Sequence, residues 1–339
     1  MNIAVYGAGA LGTVIGAYIS KAGVEIDLIS RNREHVTALK RNGAKITGTV
    51  NFTVPVNALT PDKIEKKYEL VFLMTKSLHN ETVLRGLVPF ITPDCIICSL
   101  QTGIPEPSIA AVVGKDRVMG CAVGWGAVQR APGVVELTSE PDGMTFVMCR
   151  MNGQCDDKLL EVKKLLEYVC PGNVEIENDY LGMRWARLIV YCAFSGMSSI
   201  LKCSYGDVID NKFAEFCAQH IIKECIEVAN AAGIKIGKIQ GNDIVKSFYF
   251  TNEFQRMRIH KILAYELNKH RLPMANMVRD LQRGRKSEID ALNGVVCDYG
   301  LRYNVKTPYN DLVTDIIHEI ENGTLEMGMQ NLEKFKAIK

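Results

Sequence analysis

Ile3-Ala-Val-Tyr-Gly-Ala-Gly-Ala-Leu-Gly12 is the stretch that decides the fold of this chain. A short apolar strand, Ile3 to Tyr6, runs into a turn with glycines at positions 7, 9 and 12. A helical pattern follows from Leu11 to Ala22, ended by Gly23, and Val24 to Ser30 reads as a second strand. A GxGxxG spacing between a strand and a helix is the context that a dinucleotide site requires. Gly7 permits the tight turn, Gly9 lets the backbone approach a pyrophosphate, and Gly12 lets helix and strand pack closely. The helix start supplies free N–H groups and positive partial charge, so Gly7, Ala8, Gly9, Ala10, Leu11 and Gly12 form the expected phosphate cradle.

The alternation continues outward from this unit. Glu34 to Arg41 reads as a helix ended by Gly43, and Ala44 to Val56 as a pair of short strands. Glu69 to Met74 and Cys95 to Leu100 are further apolar strands. Strands alternating with helices imply a parallel sheet covered on both faces. Arg117 to Met148 is rich in Val, Gly and Thr with Pro-Gly turn signals, and reads as an antiparallel extension of that sheet. Asp156 to Val169 is helical, and Val174 to Glu177 reads as a last strand. Beyond Asn178 the strand signals fade. Asp179–Leu201, Asn211–Ala232, Asp243–His270, Ser287–Tyr299 and Pro308–Asn322 fit helical periodicity. Asn178 or Asp179 is placed to cap the first of these and Ser287 the fourth. The expectation is an α/β chain: a Rossmann-type domain over residues 1–175 and an all-helical domain over 176–339.

Composition limits the function classes. The 339 residues suit about two domains at roughly 150 residues each. Lys plus Arg is 40 against 38 Asp plus Glu, a net charge of +2, which offers no global field for nucleic acid or an anionic membrane. Leu188 to Leu201 is uncharged but too short to span a bilayer. It suits a buried helix, or, being more apolar than one helix face needs, a contact that pairs two subunits in a homodimer. Eleven scattered cysteines, the Cys95/Cys98 pair among them, read as reduced core thiols of a cytoplasmic protein. His35, His79, His220, His260, His270 and His318 show no metal spacing, so no metal is expected.

Cofactor choice is read at the end of the second strand, where an NAD site usually places Asp or Glu. Here stands Ser30-Arg31-Asn32-Arg33, while Asp27 lies earlier, inside the strand. A hydroxyl with one or two guanidiniums suits a 2′-phosphate, so NADP(H) is expected; the alternative is that Arg31 and Arg33 are solvated loop charges. Lys76, after the strand Glu69 to Met74, is placed to face the cofactor, or else solvent. Gln101-Thr102-Gly103, after the next strand, is placed to line the nicotinamide pocket.

On these residues the chain resembles the ketopantoate reductase (2-dehydropantoate 2-reductase) family. The resemblance also rests on Trp185-Ala-Arg-Leu188, on the stretch from Met277 through Arg283-Gly-Arg-Lys-Ser-Glu-Ile-Asp290 to Asn293-Gly294, and on Asn304-Val-Lys-Thr-Pro308. It implies a Rossmann domain, a helical domain like the C-terminal domain of 6-phosphogluconate dehydrogenase, a cleft between them, and NADPH-dependent reduction of a small 2-keto acid to a 2-hydroxy acid. It also implies that Glu288 binds the substrate hydroxyl, although Glu288 alone would read as a helix-start charge.

Several matched positions depart from the family pattern. Arg187 stands where the family has a general-acid lysine, Tyr191 and Ser195 where it has asparagines, Thr102 for another asparagine, and Asn276 for a substrate-binding serine. An arginine does not release a proton near neutrality. Tyr191, four residues on and on the same helical face, is the expected donor, its pKa lowered by the guanidinium. Arg187 then binds the substrate carboxylate or the developing oxyanion, with Ser195 and Asn276 as substrate contacts. Ordinary packing of Arg187 and Tyr191 is the alternative. The departures leave two rivals to ketopantoate reduction: action on another ketone or an imine, and a non-catalytic protein that senses NADP(H).

Overall fold

The computed structural model describes residues 1–239, 241–266, 271 and 274–338. The chain divides into two compact units, Met1–Gln101 with Pro105–Tyr180, and Thr102–Ile104 with Leu181–Lys339. The three residues after Gln101 therefore pack with the second unit although both flanks belong to the first.

In the first unit, β1 (Ile3–Tyr6), α1 (Ala10–Lys21), β2 (Asp27–Ile29), α2 (Arg33–Asn42), β3 (Ala44–Gly48), β4 (Phe52–Val54), β5 (Asn57–Leu59), β6 (Tyr68–Leu73), α3 (Asn80–Leu87), β7 (Ile91–Ser99), α4 (Glu106–Val113) and β8 (Val118–Val123) follow one another. After them come β9 (Ala127–Ala131), β10 (Val134–Leu137), β11 (Phe146–Arg150), α5 (Asp157–Glu167) and β12 (Val174–Ile176). The main sheet has the order β12-β11-β8-β7-β6-β1-β2-β5. β1 pairs in parallel with both β2 and β6, and β6 in parallel with β7. Strand order thus reverses beside β1, and ligands of such sheets bind outside the carboxyl ends at that switch.

The expected antiparallel extension holds only for β11, which runs antiparallel to β8; β8 itself is parallel to β7. β9 and β10 instead join β3 and β4 in a separate four-stranded sheet. The reason lies in their burial. β10 buries alternate residues, Val135 and Leu137, and β3 buries Ala44 and Ile46. Such strands have one core face only, whereas a central parallel strand is buried on both. His35 joins this layer to the first: the Gly133 N–H donates to His35 Nδ1 at 3.0 Å, which leaves Nε2 as the donor to Thr13 Oγ1, also at 3.0 Å.

The second unit holds α6 (Tyr180–Val190), a wide π-helical turn (Tyr191–Ser195), α7 (Gly196–Leu201), α8 (Tyr205–Asp210), α9 (Lys212–Ala231), α10 (Ile244–Phe248), α11 (Glu253–Glu266), α12 (Asn276–Gln282), α13 (Asn293–Tyr303) and α14 (Pro308–Glu321). The single helix expected over Asp243–His270 is broken between α10 and α11, and its end, with His270, lies outside the described residues. The Ser287 helix also starts later. Ser287 Oγ accepts the Ile289 N–H and donates to Glu321, but α13 begins only at Asn293. Leu188, Ile189, Cys192, Ala193, Phe194, Met197, Ile200 and Leu201 all belong to this unit's own core. That accounts for the apolar surplus of Leu188–Leu201 without a second subunit.

Glu224, on α9, caps α14. Its carboxyl accepts the Tyr309 and Asn310 backbone N–H groups, each at 2.9 Å, and Asn310 Nδ2 at 2.7 Å. Burial nevertheless pushes the carboxyl from 4.5 up to about 7, against those three donors and with Asp311 adding to the rise. A raised carboxyl pKa favours the folded state at low pH, and that contribution is lost as pH rises from 4.5 through about 7. The group therefore makes a difference on the order of 3 kcal/mol between these limits. Urea unfolding at both pH values checks this: the stability advantage of the wild type over Glu224→Gln shrinks as pH rises, and parallel profiles contradict it.

Candidate functional site

The glycine turn sits at the switch beside β1. Gly7 has φ +107°, and a Cβ there would lie 2.7 Å from the Met74 carbonyl carbon and the Thr75 nitrogen at the end of β6. A Cβ on Gly12 would lie 2.8 Å from Val5 Cγ1, so the helix rests directly on β1. Gly9 differs: the nearest atom to a Cβ would be the Gly7 carbonyl oxygen at 4.0 Å. Its open face leaves room for a phosphate. The first helical bond of α1 runs from the Thr13 N–H to the Gly9 carbonyl, 2.9 Å, so the N–H groups of Ala10, Leu11 and Gly12 precede the helical ladder. The cradle thus fits the diphosphate of a dinucleotide, with no Cβ to fill it.

Ser30, Lys76 and Gln101 follow β2, β6 and β7, which places all three at the same sheet edge as the cradle. Arg31 is exposed and faces Tyr6, whose phenol burial pushes up and Arg31 pulls back. The Asp62 carboxyl is held low first by the Thr60 hydroxyl and further by the charge of Arg33. Asn32 caps α2 through the His35 N–H at 3.2 Å. Asp27 is buried and engaged by Tyr68 Oη at 2.7 Å, Asn57 Nδ2 at 2.6 Å and Lys66 Nζ at 3.0 Å, which removes it from ribose binding. Lys76 is half-buried. Gln101 is buried, and its side chain is turned into the protein: Nε2 donates to the Thr75 carbonyl at 2.6 Å and to Asn80 Oδ1 at 2.7 Å, while Oε1 accepts from Asn80 Nδ2 at 3.1 Å. It thus ties the end of β7 to the segment after β6 and to the start of α3.

In the helical unit, Trp185 is fully buried and donates from Nε1 to the Cys225 carbonyl at 2.9 Å, which fixes α6 on α9. Arg184, Arg187 and Tyr191 recur at helical spacing on the next face. The charges that act on the Tyr191 phenol are Arg187, Arg184 and Glu288. The expected direction of its pKa is corrected. Burial raises it above the ordinary tyrosine value; Arg187 and Arg184 oppose the rise and Glu288 adds to it. Desolvation of a phenolate outweighs the two cations.

Thr102 Oγ1 donates to Glu288 Oε2 at 3.4 Å, and Gly103, with φ +78°, approaches the Ala291 carbonyl so closely that a Cβ would lie 2.2 Å from its oxygen. Ser195 is buried and its Oγ lies 2.9 Å from Tyr205 Oη. Burial raises the Tyr205 phenol, Ser195 opposes the rise and Tyr191 adds to it. Arg187, Tyr191, Ser195, Glu288 and Thr102 therefore belong to one unit, while Asn276 is exposed at the start of α12. Arg184 and Tyr205 were not anticipated; Arg184 was legible as the third member of the Arg187–Tyr191 face, and Tyr205 carried no signal.

No helix among the described residues is long and apolar enough to cross a membrane. A family model described as ketopantoate reductase PanE/ApbA matches residues 3–149, and one described as ketopantoate reductase PanE/ApbA C terminal matches residues 179–321. The 2-dehydropantoate 2-reductase of Pyrococcus horikoshii is 28% identical over 322 residues, 95% of this chain and 98% of that protein. The enzyme of the same name from Lactococcus lactis is 27% identical over 330 residues, with the same coverage. A PanE/ApbA family ketopantoate reductase from Ralstonia eutropha superposes with a TM-score of 0.79 at 24% identity, over 96% of this chain and 99% of that one. A D-mandelate dehydrogenase solved with NADH and anilino(oxo)acetate superposes with a TM-score of 0.79 at 23% identity and the same coverage. These two likenesses establish the fold, and the matched family models establish more: the chain belongs to the ketopantoate reductase family of oxidoreductases.

Proposed function

We propose that the protein reduces a small 2-keto acid to the 2-hydroxy acid with NADPH, and that 2-dehydropantoate, reduced to pantoate, is its substrate. The observation that carries this reading is the recurrence of Arg184, Arg187 and Tyr191 at helical spacing in the unit that also holds Glu288, with the charges of Arg187, Arg184 and Glu288 acting on the Tyr191 phenol. Two fixed cations suit a substrate that brings a carboxylate and develops a second negative charge on its carbonyl oxygen. Gly7–Gly12, with Ser30, Arg31 and Lys76 at the same sheet edge, would hold the cofactor, which would supply the hydride for the carbonyl carbon. Arg187 holds the carboxylate or the oxygen on which charge develops. Tyr191 gives its proton to that oxygen, and the resulting phenolate, stabilised by Arg187 and Arg184, regains a proton from water. Glu288 accepts a hydrogen bond from a substrate hydroxyl, and Ser195 and Asn276 serve as further substrate contacts. Names of relatives such as the Pyrococcus horikoshii enzyme support the substrate.

The test is the loss of NADPH absorbance with 2-dehydropantoate and a panel of other 2-keto acids, beside NADPH binding by fluorescence. Turnover of 2-dehydropantoate is expected. Turnover of another ketone or an imine alone would reassign the substrate, and binding with an inert panel would support an NADP(H) sensor.

Cofactor preference has its own expected result. Arg31 directly follows Ser30 at the end of β2, whereas Arg33 opens α2 and acts on the Asp62 carboxyl, so Arg31 is the guanidinium we assign to the 2′-phosphate. Arg31→Ala weakens NADPH by about 10- to 100-fold, the worth of a charged hydrogen bond, and leaves NADH unchanged; Arg33→Ala does less. Equal losses for both cofactors in Arg31→Ala would contradict this.

A further inference from the structure

The helix that carries Arg187 and Tyr191 is interrupted by one wide turn, and the interruption has a donor built for it. In an α-helix the Gly196 N–H would meet the Cys192 carbonyl, four residues back. Here it reaches the Tyr191 carbonyl, five residues back, and that of Ala193. The Cys192 carbonyl loses that donor inside a closed core, where an unmet backbone acceptor costs about 1–3 kcal/mol. Asn293, fully buried at the start of α13, donates Nδ2 to it at 3.2 Å. Gly196 makes the approach possible, since a Cβ there would meet Val313 Cγ1 at 2.9 Å and crowd Asn293 Oδ1 and Nδ2 at 3.2 and 3.4 Å.

The orientation of Asn293 is imposed from behind. Glu224 Oε2 accepts the Asn310 backbone N–H at 2.9 Å and Asn310 Nδ2 at 2.7 Å. Asn310 must therefore turn its amino group to Glu224 and its oxygen to Asn293, whose Nδ2 meets that oxygen at 3.0 Å. A chain of hydrogen bonds joins α9, α14, α13 and the wide turn: Asn310 donates to Glu224, and Asn293 donates both to Asn310 and to the Cys192 carbonyl.

Resting on the reading of Tyr191 as proton donor, we propose that Asn293 is a positioning residue for the reduction. With Asn310 and Glu224 behind it, it holds the wide turn at Tyr191–Ser195, and so sets the Tyr191 phenol against Arg187 and the Ser195–Tyr205 pair. Asn293→Asp keeps the shape of the side chain but replaces its donor with an acceptor. It is expected to lower kcat about tenfold or more, with KM and NADPH affinity within about twofold of the wild type. In a Tyr191→Phe background the same substitution costs no further rate, because its effect passes through the phenol. Independent, multiplying losses overturn the proposal.

A second readout does not depend on activity. With tyrosine ring carbons labelled, and Tyr191 and Tyr205 identified through their phenylalanine variants, both resonances move in Asn293→Asp; unmoved resonances overturn the proposal. If Asn293→Asp does not fold, Gly196→Ala with Val313→Ala, which removes the nearer clash, crowds the same amide and is read against Val313→Ala in the same way. If Tyr191→Phe alone keeps full kcat, the donor assignment falls, and the tyrosine spectrum alone then decides the positioning role.

Discussion

Replacing Tyr191 by phenylalanine lowers kcat by about 100-fold or more and leaves KM and NADPH affinity within about twofold of the wild type. The ring stays, so the packing of the wide turn is kept; only the proton is lost. Arg187 cannot substitute as donor, because a guanidinium holds its proton far above neutrality. The pH profile adds a signed expectation. Burial lifts the phenol above the ordinary value of 10.0, against Arg187 and Arg184. The donor is therefore protonated throughout the neutral and mildly alkaline range, and kcat shows no alkaline fall from this group below that value. Steady-state kinetics of both proteins over a pH series checks both statements, and full activity of the variant removes Tyr191 from the chemistry.

Gly9 and Gly12 give the second large effect, and they separate binding from folding. Gly9 has φ −90° and ψ −146° and open space where a side chain would stand. Gly9→Val is expected to fold with an unchanged melting temperature and to lose NADPH affinity by about 100-fold or more, since the new side chain fills the phosphate cradle. Gly12→Val does the reverse at first: its side chain meets Val5 Cγ1 and the Gly7 carbonyl oxygen, within 2.8 and 2.9 Å of a Cβ. Overpacking of that kind costs about 1–3 kcal/mol. Thermal unfolding beside fluorescence titration distinguishes the two, and a Gly9→Val protein that binds NADPH normally would show that the cradle lies elsewhere.

What was legible in the sequence was what is set locally. The strand, glycine turn and helix from Ile3 onward follow from backbone freedom and close approach at three positions, and the structure reproduces them. The second sheet was not legible, because β10 pairs with β3, about ninety residues earlier, β9 joins only through β10, and nothing local chooses between that sheet and the main one. The wide turn escaped because helical periodicity assumes a constant pitch, and Tyr191–Ser195 departs from it. The direction of the Tyr191 pKa escaped for a related reason: spacing places a cation near the phenol, but burial outweighs the cation and is a property of the packed unit. Asn293 stood within the most specific stretch of the resemblance, yet its partners Cys192 and Asn310 are joined to it only by the fold.

The assignment of Thr102–Ile104 to the helical unit has a consequence for modularity. A cut near Tyr180 does not yield two self-sufficient fragments. The N-terminal piece would carry a loop whose Gly103 has lost its seat on the Ala291 carbonyl, and the C-terminal piece would lack the hydroxyl that meets Glu288. The chain is stitched rather than strung. The helical half could not be exchanged between relatives as a cassette unless this three-residue thread were exchanged with it.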